Sequence, residues 1–299
     1  MQQQPTKLFV FQDGPRSGNT EDVEKGKKVR EVIRSLTEGT TTNLHTFYSE
    51  KNLGCGPGPA AGISWFFEQV EQGIIIEDDA VPHPDFFAYA EELLERYKED
   101  ADVRAIGSMK VDKEKYGDGS YYFSRINRNL CAWATWKRAW ADFDMRLLSV
   151  SPKQFSNVLK SYGCRLRERE YWQERLKEIQ KDGIGGTSWD MQFFISIWLN
   201  HGKGIMPNVN LSSNIGFDEE GTHTLSADNV AANVPVQGIL PLVHPSSTCI
   251  VRQADYNFHK LYFTPYDYGM EGLRRLPYRL NKRLKRLVGH EGPWLKKKK

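Results

Sequence analysis

Glu77, Asp78 and Asp79 stand in a row directly after Gly73-Ile74-Ile75-Ile76, and they are the side chains best suited to chemistry in this sequence. Adjacent carboxylates repel one another, and each loses hydration if the apolar run before it is buried, so something must offset the cost. A divalent cation held by one carboxylate and two phosphate oxygens would do so. It would also neutralise a departing diphosphate as a Lewis acid. The plainer alternative is that the triplet opens a solvated loop, with Asp79 or Asp85 helping to cap the next helix.

The neighbouring residues say how such a triplet would be held. Three consecutive Ile fit a strand covered on both faces of a parallel sheet. A triplet at the C-terminal edge of that sheet would lie where open α/β folds bind ligands. Upstream, Leu8-Phe9-Val10-Phe11 reads as a buried strand stopped by Gln12-Asp13-Gly14-Pro15. Thr20 to Leu36 reads as a helix with Val23, Val29, Val32, Ile33 and Leu36 at roughly helical spacing. His45 to Tyr48 gives a second short strand, followed by a helix from about Ala60 to Val70. Pro84-Asp85-Phe86-Phe87 opens a helix through Tyr97, and Val103 to Gly107 is a further strand. This alternation predicts an α/β three-layer sandwich with a mostly parallel central sheet. Later the pattern loosens: Trp133, Trp136 and Trp140 are expected on one helix, Glu168 to Lys181 on another, and Ser188 to Leu199 on a third with Ser188 as N-cap. Asn208 to Gly238 reads as loop.

Bulk properties narrow the class. The 299 residues, 39% of them hydrophobic and 12% aromatic, suffice for a packed core. A net charge of +3 is too mild to point to nucleic acid, and no recognition motif accompanies the basic tail. Cys55, Cys131, Cys164 and Cys249 are scattered without zinc or redox spacing, as expected of thiols in a reducing compartment. No run approaches membrane-spanning length, so a cytoplasmic location is expected. The Gly54–Gly58 stretch contains Pro57 and lacks the Lys of a phosphate-cradling loop, which argues against a nucleotidyl or phosphoryl transferase.

Beyond the triplet, the segment from Gly73 to Met109 resembles the central part of bacterial nucleotide-diphospho-sugar transferases of the GT-A fold, and more distantly N-acetylglucosaminyltransferase I. The likeness extends to FQDGPR (Phe11 to Arg16), EKNLGC (Glu50 to Cys55), SWDMQFF (Ser188 to Phe194) and LSSNIGF…GTHT (Leu211 to Thr224). It implies a glycosyltransferase that moves a sugar from a nucleotide-diphosphate donor to a hydroxyl of a glycan or lipid-linked saccharide. It implies Asp79 as the direct ligand of Mn²⁺ or Mg²⁺, with Glu77 and Asp78 near the ribose or donor sugar. Gln12 and Asp13 would lie beside the base, and His223 on a loop over the diphosphate. Asp190 would be the general base, giving single displacement with inversion. Each has a plainer alternative: Asp190 favours the positive end of its helix, His223 is a solvated loop residue, and the tryptophans are core rather than a sugar platform.

The family pattern begins one strand and one helix earlier than Met1, so a sheet lacking its first strand–helix unit is expected, with an unpaired edge or without a central strand. A non-catalytic relative that serves as a binding or scaffolding module is the competing reading. The expected organisation is a transferase domain over 1–245, with a donor half about 1–112 and an acceptor half about 113–245. A C-terminal extension over 246–299 follows. Within it, Glu271 to Val288 could form a basic amphipathic helix, followed by the Lys296–Lys299 run. Such a tail suits the anionic inner face of a membrane, or simply makes a solvated surface helix.

Overall fold

The computed structural model describes residues 7–126, 131–181, 189–216 and 234–263. In chain order the elements are β1 (Lys7–Gln12), α1 (Thr20–Thr37), β2 (Asn43–Tyr48), α2 (Pro57–Gln69), β3 (Gln72–Ile76), β4 (Ala80–Pro82) and α3 (Asp85–Arg96). Then come β5 (Val103–Gly107), β6 (Tyr121–Ser124), β7 (Ala132–Trp136), α4 (Lys137–Trp140), α5 (Pro152–Ser161) and α6 (Leu166–Lys181). The last are α7 (Asp190–Leu199), β8 (Lys203–Pro207), β9 (Ser212–Asn214) and α8 (Arg252–Phe258), which runs into a π-helical turn, His259–Phe263. The chain divides into two compact units, Met1–Arg252 and Gln253–Lys299. In the second, Phe258 stacks on Tyr262 with ring centroids 5.5 Å apart. The basic stretch Glu271 to Val288 lies outside the described residues.

The protein is mixed α/β, but its main sheet corrects the expectation of a mostly parallel one. Its order is β3-β7-β5-β8-β6. Only β5–β8 is parallel; β3–β7, β5–β7 and β6–β8 are antiparallel. The reversal comes from β7, which enters between β3 and β5 and runs against both. A strand buried on both faces has the same apolar composition in either pairing, so the Ile run alone could not distinguish them.

The sheet also corrects the tryptophan helix. Trp133 and Trp136 lie on β7, and only Trp140 is helical, at the end of α4. Successive β7 side chains alternate in face. Ala132, Ala134 and Trp136 join the core beneath α3, with Phe86, Tyr89, Leu93, Ile106, Tyr121 and Phe123. Trp133 points the other way, to Trp189 and Phe193 at the start of α7. Behind α7, Trp198 meets Trp172 of α6 edge to face at 4.6 Å, and α5 packs against both helices. Arg125, after β6, pairs with Glu168 of α6 at 2.5 Å, and both side chains are buried.

β1 and β2 form a separate, parallel two-stranded sheet, pairing Lys7–Gln12 with Asn43–Tyr48. Among the described residues, β1 and β3 each have one edge without a strand partner. Both lie against α2. Phe66 of that helix meets the Phe9 ring of β1 at 5.1 Å and covers Gly73 of β3 so closely that a Cβ there would come within 2.2 Å of it. α1 begins with Asn19 as N-cap, its side chain accepting from the Asp22 amide, yet it has no buried residue. Val32 and Leu36 on its apolar stripe are 56% and 72% exposed. The apolar spacing that predicts the helix therefore does not lead to burial.

A final strap, residues 234–251, crosses back over α3. Asp85 Oδ2 accepts from the Ile239 and Leu240 amides, which draws its carboxyl below its ordinary value, the Ile239 contact contributing most. His244 accepts or donates at Tyr121 through Nδ1, at 2.8 Å, and approaches Glu92 through Nε2, at 2.9 Å. Within the segment expected as loop, Ser212–Asn214 is strand β9, paired antiparallel with β4.

Candidate functional site at the end of strand β3

The triplet follows β3 as anticipated, in a tight turn. The Glu77 amide donates to the Cys131 carbonyl at 2.8 Å, and the Ala80 amide closes back on the Glu77 carbonyl at 3.1 Å. The turn leaves Asp78 exposed, with Glu77 and Asp79 half-buried. Neither Asp79 nor Asp85 caps α3 with its side chain; the Asp85 amide instead donates to Nδ1 of His83, at 3.1 Å.

Asp79 is held by a strand 135 positions later in the chain. β9 pairs with β4 in the register Ala80 opposite Asn214, and the Ile215 amide donates to the Asp79 carbonyl at 2.8 Å. Asn214 Nδ2 donates to Asp79 Oδ2 at 2.8 Å. The other oxygen, Oδ1, is shut off from solvent and has no hydrogen-bond partner among the described residues. A buried carboxylate oxygen left without a donor is costly unless a cation or proton meets it.

Among the described residues no three His, Cys, Asp or Glu side chains are grouped to hold a metal. A single carboxylate fits a cation whose remaining ligands are phosphate oxygens and water. That is the habit of Mg²⁺ and its like at phosphate sites rather than of an all-protein cage.

Asp190 is the first residue of α7. Its neighbour Trp189 stacks on Trp133 at 5.5 Å, and Trp133 pairs with Ile75 of β3. The start of α7 thus packs over the face of β7, against Trp133 and against Trp140 beyond the strand's other end. The helix begins one residue later than the sequence indicates; Trp189 occupies the N-cap position without a side-chain cap. Ser188 and His223 lie outside the described residues.

Gln12 and Asp13 lie on the other sheet, at the end of β1, and their polar atoms are engaged internally. Gln12 Nε2 donates to the Gly26 carbonyl at 3.2 Å, and Oε1 accepts from Arg30 Nε at 2.6 Å. The Asp13 carboxylate accepts from the amides of Gly14, Leu53 and Gly54 and from Asn52 Nδ2, which fastens the loop before α2. Both residues border a surface depression of about 410 Å³ between β1 and α1. A second depression, of about 620 Å³, lies beside Arg16, Asn19 and Lys51. Both are away from the triplet. The hydrogen bonding and register at Asp79 say more about chemistry there than these shallow surface hollows do.

Asn214 is the residue that reading the sequence missed. It lies within the LSSNIGF segment, but nothing local indicates that its amide meets a carboxylate 135 positions earlier. Ser108 is a second: its hydroxyl donates to the Ala132 carbonyl and meets Ser212 Oγ, joining β5, β7 and β9 behind the triplet.

Compared with known proteins, the chain matches no protein-family model, and no curated protein is significantly similar to it.

Proposed function

We propose that this protein is a GT-A-like glycosyltransferase that uses a nucleotide-diphosphate sugar and depends on a divalent cation, Mn²⁺ or Mg²⁺. The observation that carries the reading is Asp79 Oδ1, a buried carboxylate oxygen without a donor among the described residues, at the end of an apolar strand. In support stand the ordered motifs from Phe11 to Thr224 and the stacking of Trp189, next to Asp190, on Trp133 of the strand paired with β3.

On this reading Asp79 holds the cation, and Glu77 and Asp78 orient the ribose or donor sugar. The cation supplies charge neutralisation to the departing diphosphate. Asp190 accepts the proton of the acceptor hydroxyl as its oxygen bonds to the anomeric carbon, while the bond from that carbon to the diphosphate oxygen breaks on the opposite face. The result is inversion. The acceptor is a glycan or lipid-linked saccharide.

One observation favours the second reading, a non-catalytic binding module. The polar atoms of Gln12 and Asp13 already serve α1 and the loop before α2, so they are not free to meet a base without rearrangement. Donor hydrolysis and transfer, measured on Asp79→Ala and Asp190→Asn, separate the readings. The transferase loses both reactions in Asp79→Ala and loses transfer in Asp190→Asn. Full activity in both variants ends the proposal.

A further inference from the structure

Asn214 makes more contacts around Asp79 than strand pairing requires. Its Nδ2 donates to Asp79 Oδ2 at 2.8 Å, and its own Oδ1 accepts the Gly216 amide at 2.8 Å. The second bond fixes which end of the amide faces the carboxylate, because an N–H can be received only by the oxygen. The backbones are tied independently, by the register of Ala80 opposite Asn214 and by the Ile215 amide on the Asp79 carbonyl. Gly216 closes the arrangement. A Cβ at that position would lie 2.8 Å from Asp79 Oδ2 and 3.0 Å from Asp79 Cβ, so only glycine lets the chain pass this close.

These ties act on one oxygen of Asp79 and leave the other. Oδ2 is engaged by a donor of fixed orientation, while Oδ1 is buried and has none among the described residues. A carboxylate held in this way has one oxygen already shared with a donor, which disfavours ligation of a cation by both oxygens. Mg²⁺ demands near-ideal octahedral geometry and is commonly held by one or two carboxylates plus phosphate oxygens. Ca²⁺ takes more ligands and readily accepts both oxygens of one carboxylate.

We propose that Asn214 is a positioning residue that restricts Asp79 to single-oxygen ligation through Oδ1 and so selects a small octahedral cation over Ca²⁺. The inference rests on Asp79 being the cation ligand, and its test keeps the two claims apart. Asn214→Ala removes both side-chain bonds. Asn214→Asp keeps the acceptor for Gly216 but removes the donor, which separates the amide's action on Asp79 from its part in the local turn.

The experiment is Mn²⁺ binding to the full chain, read by the loss of the free-ion electron paramagnetic resonance signal, with UDP or GDP present, and repeated with Ca²⁺ as competitor. Thermal melting confirms that each variant is folded. In the wild type Mn²⁺ binds and Ca²⁺ competes poorly, and Asp79→Ala abolishes binding. Both Asn214 variants weaken Mn²⁺ by about 10- to 100-fold, the usual range for a residue that orients a ligand. Their preference for Mn²⁺ over Ca²⁺ also falls, which a merely structural role would not change. If Asp79→Ala abolishes binding while a folded Asn214 variant keeps wild-type affinity and preference, the positioning role is wrong and the cation reading stands. If wild type does not bind, or Asp79→Ala binds equally well, the cation reading falls and this inference with it.

Discussion

The indole of Trp189 stacks on that of Trp133 with centroids 5.5 Å apart and planes 25° from parallel. Trp133 is fixed in β7 and Trp140 in α4, and α7 starts against both indoles without a side-chain cap of its own, with Asp190 next to Trp189. Trp189→Ala should lower stability by about 3–5 kcal/mol, the range for deleting a buried Trp. It should also lower transfer more than donor binding, because Asp190 loses its support while Asp79 does not. Kinetics on the folded variant at reduced temperature, with kcat and KM measured separately, check this.

Arg125 and Glu168 join β6 to α6 as a buried ion pair, and Glu168 Oε2 also accepts the Arg165 amide at 2.6 Å. Removing Glu168 takes a buried carboxylate away from the buried Arg125 guanidinium. Glu168→Ala should therefore cost about 3–5 kcal/mol, measured as a lowered midpoint of urea unfolding. Arg175→Ala should change the midpoint little, because its pairing with Glu178 is more exposed.

Acid should act on the start of α1. Asp22 accepts two hydrogen bonds from the Arg16 guanidinium, and these bring its carboxyl from 3.8 down to about 2. A depressed carboxyl contributes stability that is present above its ordinary value and is lost as pH falls through its folded value. The start of α1 should therefore loosen between about pH 3.8 and about pH 2, with Asp22→Asn insensitive over that interval. Hydrogen exchange of the first-turn amides reads the difference.

How far the sequence carried the structure depends on the range of the interaction. Glu77–Asp79 after the Ile run, and Asp85–Arg96 as a helix, were legible because each is written in adjacent residues. Trp133, Trp136 and Trp140 misled because a three- and four-residue spacing fits a helix, whereas β7 alternates faces and buries Trp133 and Trp136 on opposite sides. The sheet's mixed direction was illegible because burial on both faces makes the same demand on parallel and antiparallel strands. Asn214 was illegible for a different reason: its chemistry exists only after β9 pairs with β4. The exposed stripe on α1 is the converse, a local signal with no tertiary counterpart.

That contrast predicts unequal local stability. β5, β7 and β8 are central in the main sheet, whereas α1 buries no side chain and β1 has a single strand partner among the described residues. Native-state hydrogen exchange should protect amides of Ala132–Trp136 at least about 100-fold more than those of Lys7–Gln12, in keeping with opening energies that follow burial. Equal protection of the two strands would contradict this.

The central claim is that Asp79 joins a nucleotide-sugar diphosphate to the protein through a shared cation. Calorimetric titration of the full chain with UDP- and GDP-sugars, with Mn²⁺ and then with a chelator, tests it most directly. The account predicts heat from at least one donor with Mn²⁺, lost with the chelator and lost in Asp79→Ala. No heat from any donor, or equal affinity with and without the metal, would contradict it.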